Sequence, residues 1–193
     1  TIGGLEVRLG EDGEILLRGD TVAHGYFNNP EATAEAFSNG WFHTGDAGRI
    51  ENGELFITGR IKQLMKTSNG KYVAPEQIEA AMNADPMIAQ AVVVAEGRKF
   101  VGALIVPEHP VGEGAENSAE NRRAIWERIE RIQECFPPFC RIRRFMLIAG
   151  PLTVGNGCLT PTQKIRRSAV EQKYAEEIET IYDNKKYRIY DNL

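Results

Sequence analysis

Residues 88–106 of the chain read IAQAVVVAEGRKFVGALIV, and this stretch decides the fold. Two apolar runs rich in β-branched residues, 88–95 and 100–106, flank the polar residues 96–99. Short apolar runs that enclose a polar segment with a glycine are typical of two buried strands joined by a turn. The stretch therefore predicts a β-hairpin in the centre of a sheet.

A short helix is predicted before this hairpin and a longer helix after it. Residues 75–84 begin with Pro75, whose fixed φ suits the first helical turn. Ser118 is predicted to cap the longer helix, which Pro137-Pro138 ends. The apolar faces contain Ile78, Ala81 and Met82 in the first helix, and Ile125, Ile129, Ile132 and Phe136 in the second.

The remainder of the chain predicts one more strand and a final helix. Residues 141–148 are the strand, and the polar tail from Asp183 onward is expected to be loosely held. The final helix has a single apolar stripe formed by Val170, Tyr174, Ile178 and Ile181. Residues 64–193 are therefore predicted to form a small α+β domain, an antiparallel or mixed sheet covered by helices.

Residues 1–58 are predicted to be rich in β-strands. A hairpin over 5–18 turns at Glu11-Asp12-Gly13, a second hairpin turns at Asn52-Gly53, and residues 30–37 form a short helix between them. Such strands are too few to bury a good core alone. The chain also opens at Thr1 without an initiator methionine. We therefore expect residues 1–58 to be the β-rich end of a larger N-terminal domain.

Composition excludes several classes of protein. Hydrophobic residues make up 42% and charged residues 26%, an ordinary globular balance, and the net charge of −4 argues against binding nucleic acid. The spacing of Cys135, Cys140 and Cys158 matches no zinc motif, which predicts free thiols and no metal site on this chain. No apolar run approaches the ~20 residues needed to cross a bilayer, so no transmembrane segment is predicted.

Two stretches in the first half carry candidate ligand-binding groups. In GWFHTGDAG, residues 40–48, Asp46 is predicted on a tight turn, where a carboxylate accepts hydrogen bonds from a sugar diol or simply supports its own turn. In GRIKQLMK, residues 59–66, Arg60 precedes a predicted strand over 61–66. Its guanidinium suits ribose or phosphate oxygens, or pairs with a surface carboxylate.

Two further candidates lie in the second half. Gly70, in the predicted turn Ser68-Asn69-Gly70, either admits a ligand close to the backbone or is an ordinary turn glycine. In PLTVGNGCLTPTQKIRR, residues 151–167, a flexible loop containing glycines presents Lys164 just before a helix. This lysine either reaches into a remote site or is a solvated cation at a helix start.

Taken together, these stretches resemble the superfamily of acyl-CoA synthetases, peptide-synthetase adenylation domains and beetle luciferases. The first resembles the Gly-Trp-x-x-Thr-Gly-Asp motif, and the second the Gly-Arg-x-Lys … Gly … Ile-Glu hinge motif. The third, Asn-Gly-x-Leu-Thr-Pro-Thr-x-Lys, is similar to the variant of long-chain fatty-acid–CoA ligases. The resemblance covers nearly the whole chain, and it implies a fragment of an ATP-dependent, AMP-forming ligase.

The resemblance implies roles for named residues. Asp46 would hold the ribose hydroxyls of the adenylate, Arg60 would assist at the ribose and phosphate, and Lys164 would bridge the α-phosphate and the acyl carboxylate. The coenzyme A path would follow a segment formed by Gly70, Lys71 and Tyr72. The hinge, residues 59–63, would include Lys62 and Gln63, and Gln63 stands where the family often has aspartate.

The resemblance also implies substrates, partners and a location. The substrates would be fatty acid, ATP and coenzyme A, with Mg²⁺ held by an N-terminal domain that precedes this chain in the same protein. Because the ATP phosphate loop and acyl pocket would lie there, the fragment alone is expected to be inactive. A cytoplasmic location, with peripheral membrane association, is implied.

Other readings of the sequence remain. One is another member of the superfamily, such as a peptide-synthetase adenylation domain or other acyl-acid ligase. A second is a non-enzymatic α+β interaction module. A nucleic-acid-binding module is the third, and the negative net charge disfavours it.

Overall fold

The computed structural model describes residues 3–10, 13–108 and 119–191, and the chain divides into two compact units. Unit 1 is Thr1–Leu64 and unit 2 is Met65–Leu193. The predicted turn at Glu11-Asp12 and the predicted cap at Ser118 lie outside the described residues.

Unit 1 is an antiparallel sheet with one short helix. The sheet has the order β1-β2-β4-β3, and β5 also pairs with β4. Both predicted hairpins and the short helix are confirmed. The elements are β1 (Leu5–Leu9), β2 (Glu14–Gly19), α1 (Pro30–Ala36), β3 (Phe37–Ser38), β4 (Trp41–Glu51) and β5 (Glu54–Arg60).

The described part of unit 1 buries little apolar surface. Its buried apolar residues are Ile15, Leu16, Trp41 and Ala47. By contrast, Ile57 on β5 is 66% exposed and the neighbouring Leu55 and Phe56 are also exposed. This small core agrees with the expectation that so few strands bury a core poorly.

Unit 2 is built on a three-stranded mixed sheet with the order β10-β9-β8. Strand β9 lies in the centre, antiparallel to β8 and parallel to β10. The predicted hairpin is confirmed, but only its second strand is central, because β8 lies at an edge. The elements are β6 (Met65–Lys66), β7 (Tyr72–Val73), α2 (Pro75–Asn83), β8 (Ile88–Val94), β9 (Val101–Pro107), α3 (Ala119–Ile132), β10 (Ile142–Leu147), α4 (Arg167–Lys173), α5 (Ala175–Tyr182) and α6 (Asn184–Asp191).

Both faces of this sheet are covered, which explains the unbroken apolar run in β9. Val101, Ala103 and Ile105 pack on the face that α2 and α3 cover, whereas Leu104 and Val106 pack on the face that α4 and α5 cover. Successive side chains of a strand point to opposite faces, so a strand buried on both sides must be apolar at every position.

Three predicted elements differ from the structure. The strand predicted over 61–66 is a single 3₁₀ turn, Ile61–Gln63, followed by the two-residue strand β6. The single C-terminal helix is two helices, because the backbone at Tyr174 leaves the helical region with φ −112° and ψ 33°. The predicted stripe that spans this break is nevertheless buried. On α2, the predicted face is buried at Ile78 and Met82 and half-buried at Ala81, but it also contains the buried Glu79, which the sequence did not indicate.

The tail that was expected to be loosely held contains helix α6. The Asp183 carboxylate accepts hydrogen bonds from the backbone N–H groups of Lys185 (2.8 Å) and Lys186 (3.0 Å), which caps the helix start. These two bonds hold the pKa of Asp183 below its usual value. The Asn184 side chain accepts a hydrogen bond from Arg144 on β10 (2.7 Å), which ties α6 to the sheet.

Two simpler features complete the fold. All three cysteines are free, as predicted, and burial raises the pKa of Cys140 to about 11. No described helix is long and apolar enough to cross a membrane.

We expect Gly102→Ala to destabilise unit 2. A Cβ atom at this position would lie 2.7 Å from Ile181 Cγ2 and 2.9 Å from the Tyr182 hydroxyl, which donates to the Val94 carbonyl. Overpacking of this kind costs about 1–3 kcal/mol. The control is Gly155→Ala, whose Cβ would meet Thr153 Oγ1 at an ordinary 3.7 Å. Equal urea midpoints for the two variants would contradict the expectation.

Candidate functional site

Asp46 and Arg60, both predicted to contact the nucleotide, are brought together in unit 1. They are paired across β4 and β5, and Arg60 Nε lies 2.8 Å from Asp46 Oδ1. Asp46 was predicted on a turn between strands. It lies instead inside the long strand β4. The strand is irregular here, because Gly45 has a φ of 70° and the register shifts after Ala47.

The Asp46–Arg60 pair is open to solvent, so a ligand can replace either partner of the pair. The side chain of Arg60 is 64% exposed and that of Asp46 is 30% exposed. An exposed ion pair contributes only ~0–1 kcal/mol, so a ligand that offers hydroxyl groups and an anion competes with it at little cost. The carboxylate would accept from hydroxyl donors, and the guanidinium would donate to phosphate oxygens.

Glu14 holds the backbone of the Thr-Gly-Asp segment. Its Oε1 accepts the N–H of Gly45 (2.9 Å) and its Oε2 lies 2.8 Å from His43 Nδ1. Thr44 adds a second anchor, since its hydroxyl donates to the Ile15 carbonyl (2.8 Å) and accepts the Asp46 N–H (3.0 Å). The sequence does not indicate this role of Glu14, because Glu14 approaches the segment only when β2 pairs with β4.

Glu14, Thr44 and Arg60 border a cavity of about 480 Å³ within unit 1. The cavity wall contains positively and negatively charged side chains and an aromatic ring. It therefore offers hydrogen-bond donors and acceptors to a polar ligand. The lining residues that offer polar or aromatic groups to a ligand include Glu14, Tyr26, His43, Gly45, Arg60 and Lys62.

Lys164 stands on an ordered hairpin in unit 2, defined here as the Lys164 hairpin (residues 158–166). The Thr160 N–H donates to the Lys164 carbonyl (2.8 Å), and the Lys164 N–H donates to Thr160 Oγ1 (3.0 Å). The Arg166 N–H donates to the Cys158 carbonyl (2.8 Å). The predicted flexible loop is therefore fixed in its backbone, and Gln163 takes the left-handed conformation that closes its turn (φ 62°).

The Lys164 side chain is exposed, and no ion pair or hydrogen bond of its ammonium group occurs within residues 3–10, 13–108 and 119–191. The base of the hairpin is held by Cys158 and Leu159, which are 1% and 6% exposed. The Lys164 ammonium is therefore mobile at the end of a flexible side chain, while the backbone position from which it extends is fixed.

Asn156 organises the loop before this hairpin. Its side-chain oxygen accepts the N–H groups of Thr153 (2.9 Å) and Cys158 (3.2 Å), and its amide donates to the Pro151 carbonyl (3.0 Å). Gln90 on β8 then binds both the carbonyl and the N–H of Leu152 (2.9 and 2.6 Å). The glycines suggested mobility, whereas these amide side chains give the loop its order.

Gly70 and Lys71 lie on the connection between β6 and β7, and Tyr72 is the first residue of β7. Gly70 has a φ of 74° and donates its N–H to the Thr67 carbonyl (2.8 Å), so it is a turn glycine. A Cβ at Gly70 would meet no atom within 4 Å, which leaves this surface open to a ligand. Lys71 is exposed, with its ammonium 5.8 Å from the centre of the Phe139 ring.

Lys62 and Gln63 are exposed residues of the 3₁₀ turn that ends one residue before the last residue of unit 1. The Leu64 N–H donates to the Arg60 carbonyl (3.0 Å), which closes this turn. No described residues form a group of three or more His, Cys, Asp or Glu side chains arranged to hold a metal ion.

Comparison with known structures places the fold among adenylate-forming enzymes. The chain is similar to the adenylation and carrier-protein didomain of carboxylic acid reductase from Segniliparus rugosus, a structure in complex with AMP. The identity is 27% and the TM-score 0.65, over 93% of this chain and 28% of that one. The chain belongs to the family of AMP-binding enzyme C-terminal domains, whose model matches residues 62–186.

Two of the curated relatives are ligases of long-chain fatty acids. The chain is 38% identical to the long-chain-fatty-acid–CoA ligase FadD15 of Mycobacterium tuberculosis, over 93% of this chain and 33% of that protein. It is 33% identical to the chloroplastic long-chain-fatty-acid–acyl-carrier-protein ligase AEE15 of Arabidopsis thaliana, over 90% and 26%. The chain thus spans about a third or less of the length of these relatives. The predicted family is confirmed.

Glu14→Ala should loosen the Thr-Gly-Asp segment. The variant removes the acceptor of the Gly45 N–H, and losing a hydrogen bond to a charged group costs about 1.5–3 kcal/mol. We expect amide hydrogen exchange at Gly45 to accelerate roughly tenfold or more. The matched control is Glu51→Ala, which removes a surface carboxylate that pairs with Arg49. If Gly45 exchanges at the same rate in both variants, Glu14 does not hold the segment.

Proposed function

We propose that this chain is part of a ligase that activates a long-chain fatty acid with ATP as acyl-adenylate and transfers the acyl group to coenzyme A. The observation that carries the proposal is Lys164, an exposed ammonium with no ion pair among the described residues, on a fixed hairpin within the region matched by the family. The similarity to a fatty-acid–CoA ligase over 93% of the chain supports the choice of acid and acceptor.

In the first step, a carboxylate oxygen of the fatty acid attacks the α-phosphorus of ATP. The bond from that phosphorus to the oxygen that bridges it to the β-phosphorus breaks, and pyrophosphate leaves. Because two anions must approach each other, a cation between them is the main catalytic contribution of this chain. A lysine ammonium ~4 Å from an oxyanion is attracted by roughly 4 kcal/mol at the effective dielectric near a protein surface. Lys164 supplies this cation.

The Asp46–Arg60 pair serves the same nucleotide. Asp46 accepts hydrogen bonds from the two ribose hydroxyls, and Arg60 turns from Asp46 toward the ribose and phosphate oxygens. The small stabilisation from an exposed pair makes this exchange of partners inexpensive. Glu14 keeps the strand backbone in place while the partners exchange.

In the second step, the coenzyme A thiol attacks the acyl carbonyl carbon, the carbon–oxygen bond to the phosphate breaks, and AMP leaves. Gly70, Lys71 and Tyr72 line the path of coenzyme A, where the open surface at Gly70 supports close approach. Lys164 is needed only in the first step. We propose that residues 59–63, with Lys62 and Gln63, are the hinge on which residues 64–193 turn between the two steps, relative to a domain that ends at residue 58.

Mg²⁺, when bound, would neutralise charge on the ATP phosphates. The described residues hold no carboxylate cluster that fits the ion. We assign it, as the resemblance implies, to the N-terminal domain that precedes this chain in the full-length enzyme. The same holds for the acyl pocket, so the chain alone is proposed to be inactive. The protein is proposed to act in the cytoplasm, at or near a membrane surface.

A carrier-protein thiol is the second candidate acceptor. One relative is a long-chain-fatty-acid–acyl-carrier-protein ligase, and a similar structure contains a carrier-protein domain after its adenylation domain. The first step would be unchanged, since only the thiol that attacks in the second step differs.

Lys164→Ala should separate the two steps in the full-length enzyme. We expect pyrophosphate release to fall by about 10²- to 10³-fold, because a charge-stabilising donor is lost, while thioester formation from supplied acyl-adenylate stays within about twofold. Lys173→Ala, which removes an exposed lysine of α4, is the control and should leave both steps unchanged. Full-speed adenylation without the Lys164 ammonium would refute the role.

The acceptor is tested by offering both thiols to the full-length enzyme with the same acyl-adenylate. We expect kcat/KM for coenzyme A to exceed that for holo-acyl-carrier protein by at least about tenfold, which corresponds to ~1.4 kcal/mol of transition-state preference. Gel shift of the carrier protein and chromatography of acyl-CoA measure the two products. A preference for the carrier protein would replace coenzyme A as the acceptor and leave the adenylation step as proposed.

A further inference from the structure

Glu79 is a charged residue in the apolar stripe of helix α2. The stripe buries Pro75, Ile78 and Met82 at helical spacing, and Glu79 lies among them with 4% of its surface exposed. A buried carboxylate is costly unless it is paired and hydrogen-bonded. Its position inside unit 2 therefore needs a partner that compensates for lost hydration.

That partner is Arg167, which binds Glu79 through two parallel hydrogen bonds. Arg167 Nη1 lies 2.9 Å from Glu79 Oε1, and Arg167 Nη2 lies 2.9 Å from Glu79 Oε2. The backbone of Val93 on β8 joins them, since its N–H donates to Glu79 Oε1 (2.8 Å) and its carbonyl accepts from Arg167 Nη1 (3.3 Å). The pair thus connects helix α2, strand β8 and the start of helix α4.

The position of Arg167 at the start of α4 is not favoured by the helix dipole. Arg167 is the first residue of α4, where the positive end of the helix dipole disfavours a cation. It also follows Lys164 by only three residues. Between them, Ile165 forms a β-bridge with Leu159, and Arg166 donates its N–H to the Cys158 carbonyl. A guanidinium fixed at Arg167 therefore fixes the outgoing arm of the Lys164 hairpin.

We propose that the Glu79–Arg167 pair is a positioning device for Lys164, an inference that rests on the proposed role of Lys164 in adenylation. The incoming arm of the hairpin is held by the buried side chains of Cys158 and Leu159. The outgoing arm is held by the ion pair. Together they set the point from which the ammonium extends, and misplacement by about 1 Å costs on the order of 10²-fold in rate.

A positioning role and a purely stabilising role predict different results. Buried ion pairs often add little net stability, although removal of one partner leaves an uncompensated charge. A variant that merely lowers the folded fraction would slow both half-reactions equally. A variant that loosens the Lys164 hairpin would slow only the half-reaction that uses Lys164.

Asp85 provides a matched control within unit 2. It is also a buried carboxylate, 8% exposed, which pairs with Arg131 (3.4 Å) and accepts a backbone N–H from Met87 (2.9 Å). It lies after the end of α2 and makes none of the contacts of the Lys164 hairpin given above. Asp85→Asn therefore reproduces the loss of a buried ion pair without touching the proposed device.

The first test uses the 193-residue chain itself. We expect Glu79→Gln to accelerate amide hydrogen exchange at Lys164 and Arg166 at least about tenfold relative to the unchanged chain, because the anchor of the outgoing arm is lost. Asp85→Asn should leave these two amides unchanged. Equal exchange in the two variants, at any overall stability, overturns the proposal.

The second test uses the full-length enzyme. Glu79→Gln should lower kcat for pyrophosphate release by roughly 10- to 100-fold with KM for ATP unchanged, and thioester formation from supplied acyl-adenylate should stay within about twofold. Arg167→Gln should do the same, and the double variant should lose no more than either single variant, because both remove one unit. Equal slowing of both half-reactions overturns the proposal. If the unchanged enzyme releases no pyrophosphate, the proposed function fails, and the exchange test still decides whether the pair fixes the hairpin.

Discussion

Strand β9 is the constraint on which unit 2 depends, because it is buried on both faces. Val101, Ala103, Leu104 and Ile105 are each 0% exposed. Two-sided burial forces an apolar residue at every position and forces helices onto both faces. At Gly102 the fit is so close that a methyl group would meet the side chains of α5. The helices, and the loops that join them, take their positions from this strand.

Lys164, the proposed catalytic cation of unit 2, lies on a connection whose backbone is held by hydrogen bonds, whereas its side chain is exposed. Gln90 and Asn156 order the loop before the Lys164 hairpin, and Glu79 with Arg167 secures the segment after it. The lysine ammonium is then the mobile part. This division suits an electrostatic role, since a cation acts over several ångströms but only from the right origin.

The ion pairs of the two units differ in burial, and burial separates permanent pairs from exchangeable ones. Glu79 is nearly inaccessible and accepts three hydrogen bonds, so its pairing with Arg167 is structural. The Asp46–Arg60 pair is largely exposed, and its groups are available to a ligand. From the sequence, pairing with a carboxylate and binding of a nucleotide are alternatives for Arg60. The structure makes them compatible, because its partner is the other candidate ligand of the nucleotide.

The sequence by itself determined the central hairpin and the helices with strong apolar periodicity, since burial imposes local patterns on neighbouring residues. It also determined the family, through the resemblance of three motifs. It did not determine the 3₁₀ turn at 61–63, the break at Tyr174 or helix α6, where the decisive hydrogen bonds are local but the pattern is weak. Only the tertiary structure decided how Glu14 holds Gly45 and how Glu79 holds Arg167, because those partners are 31 and 88 residues apart along the chain. A charged residue in an apolar stripe requires a compensating partner, but the identity of that partner depends on how the strands and helices pack.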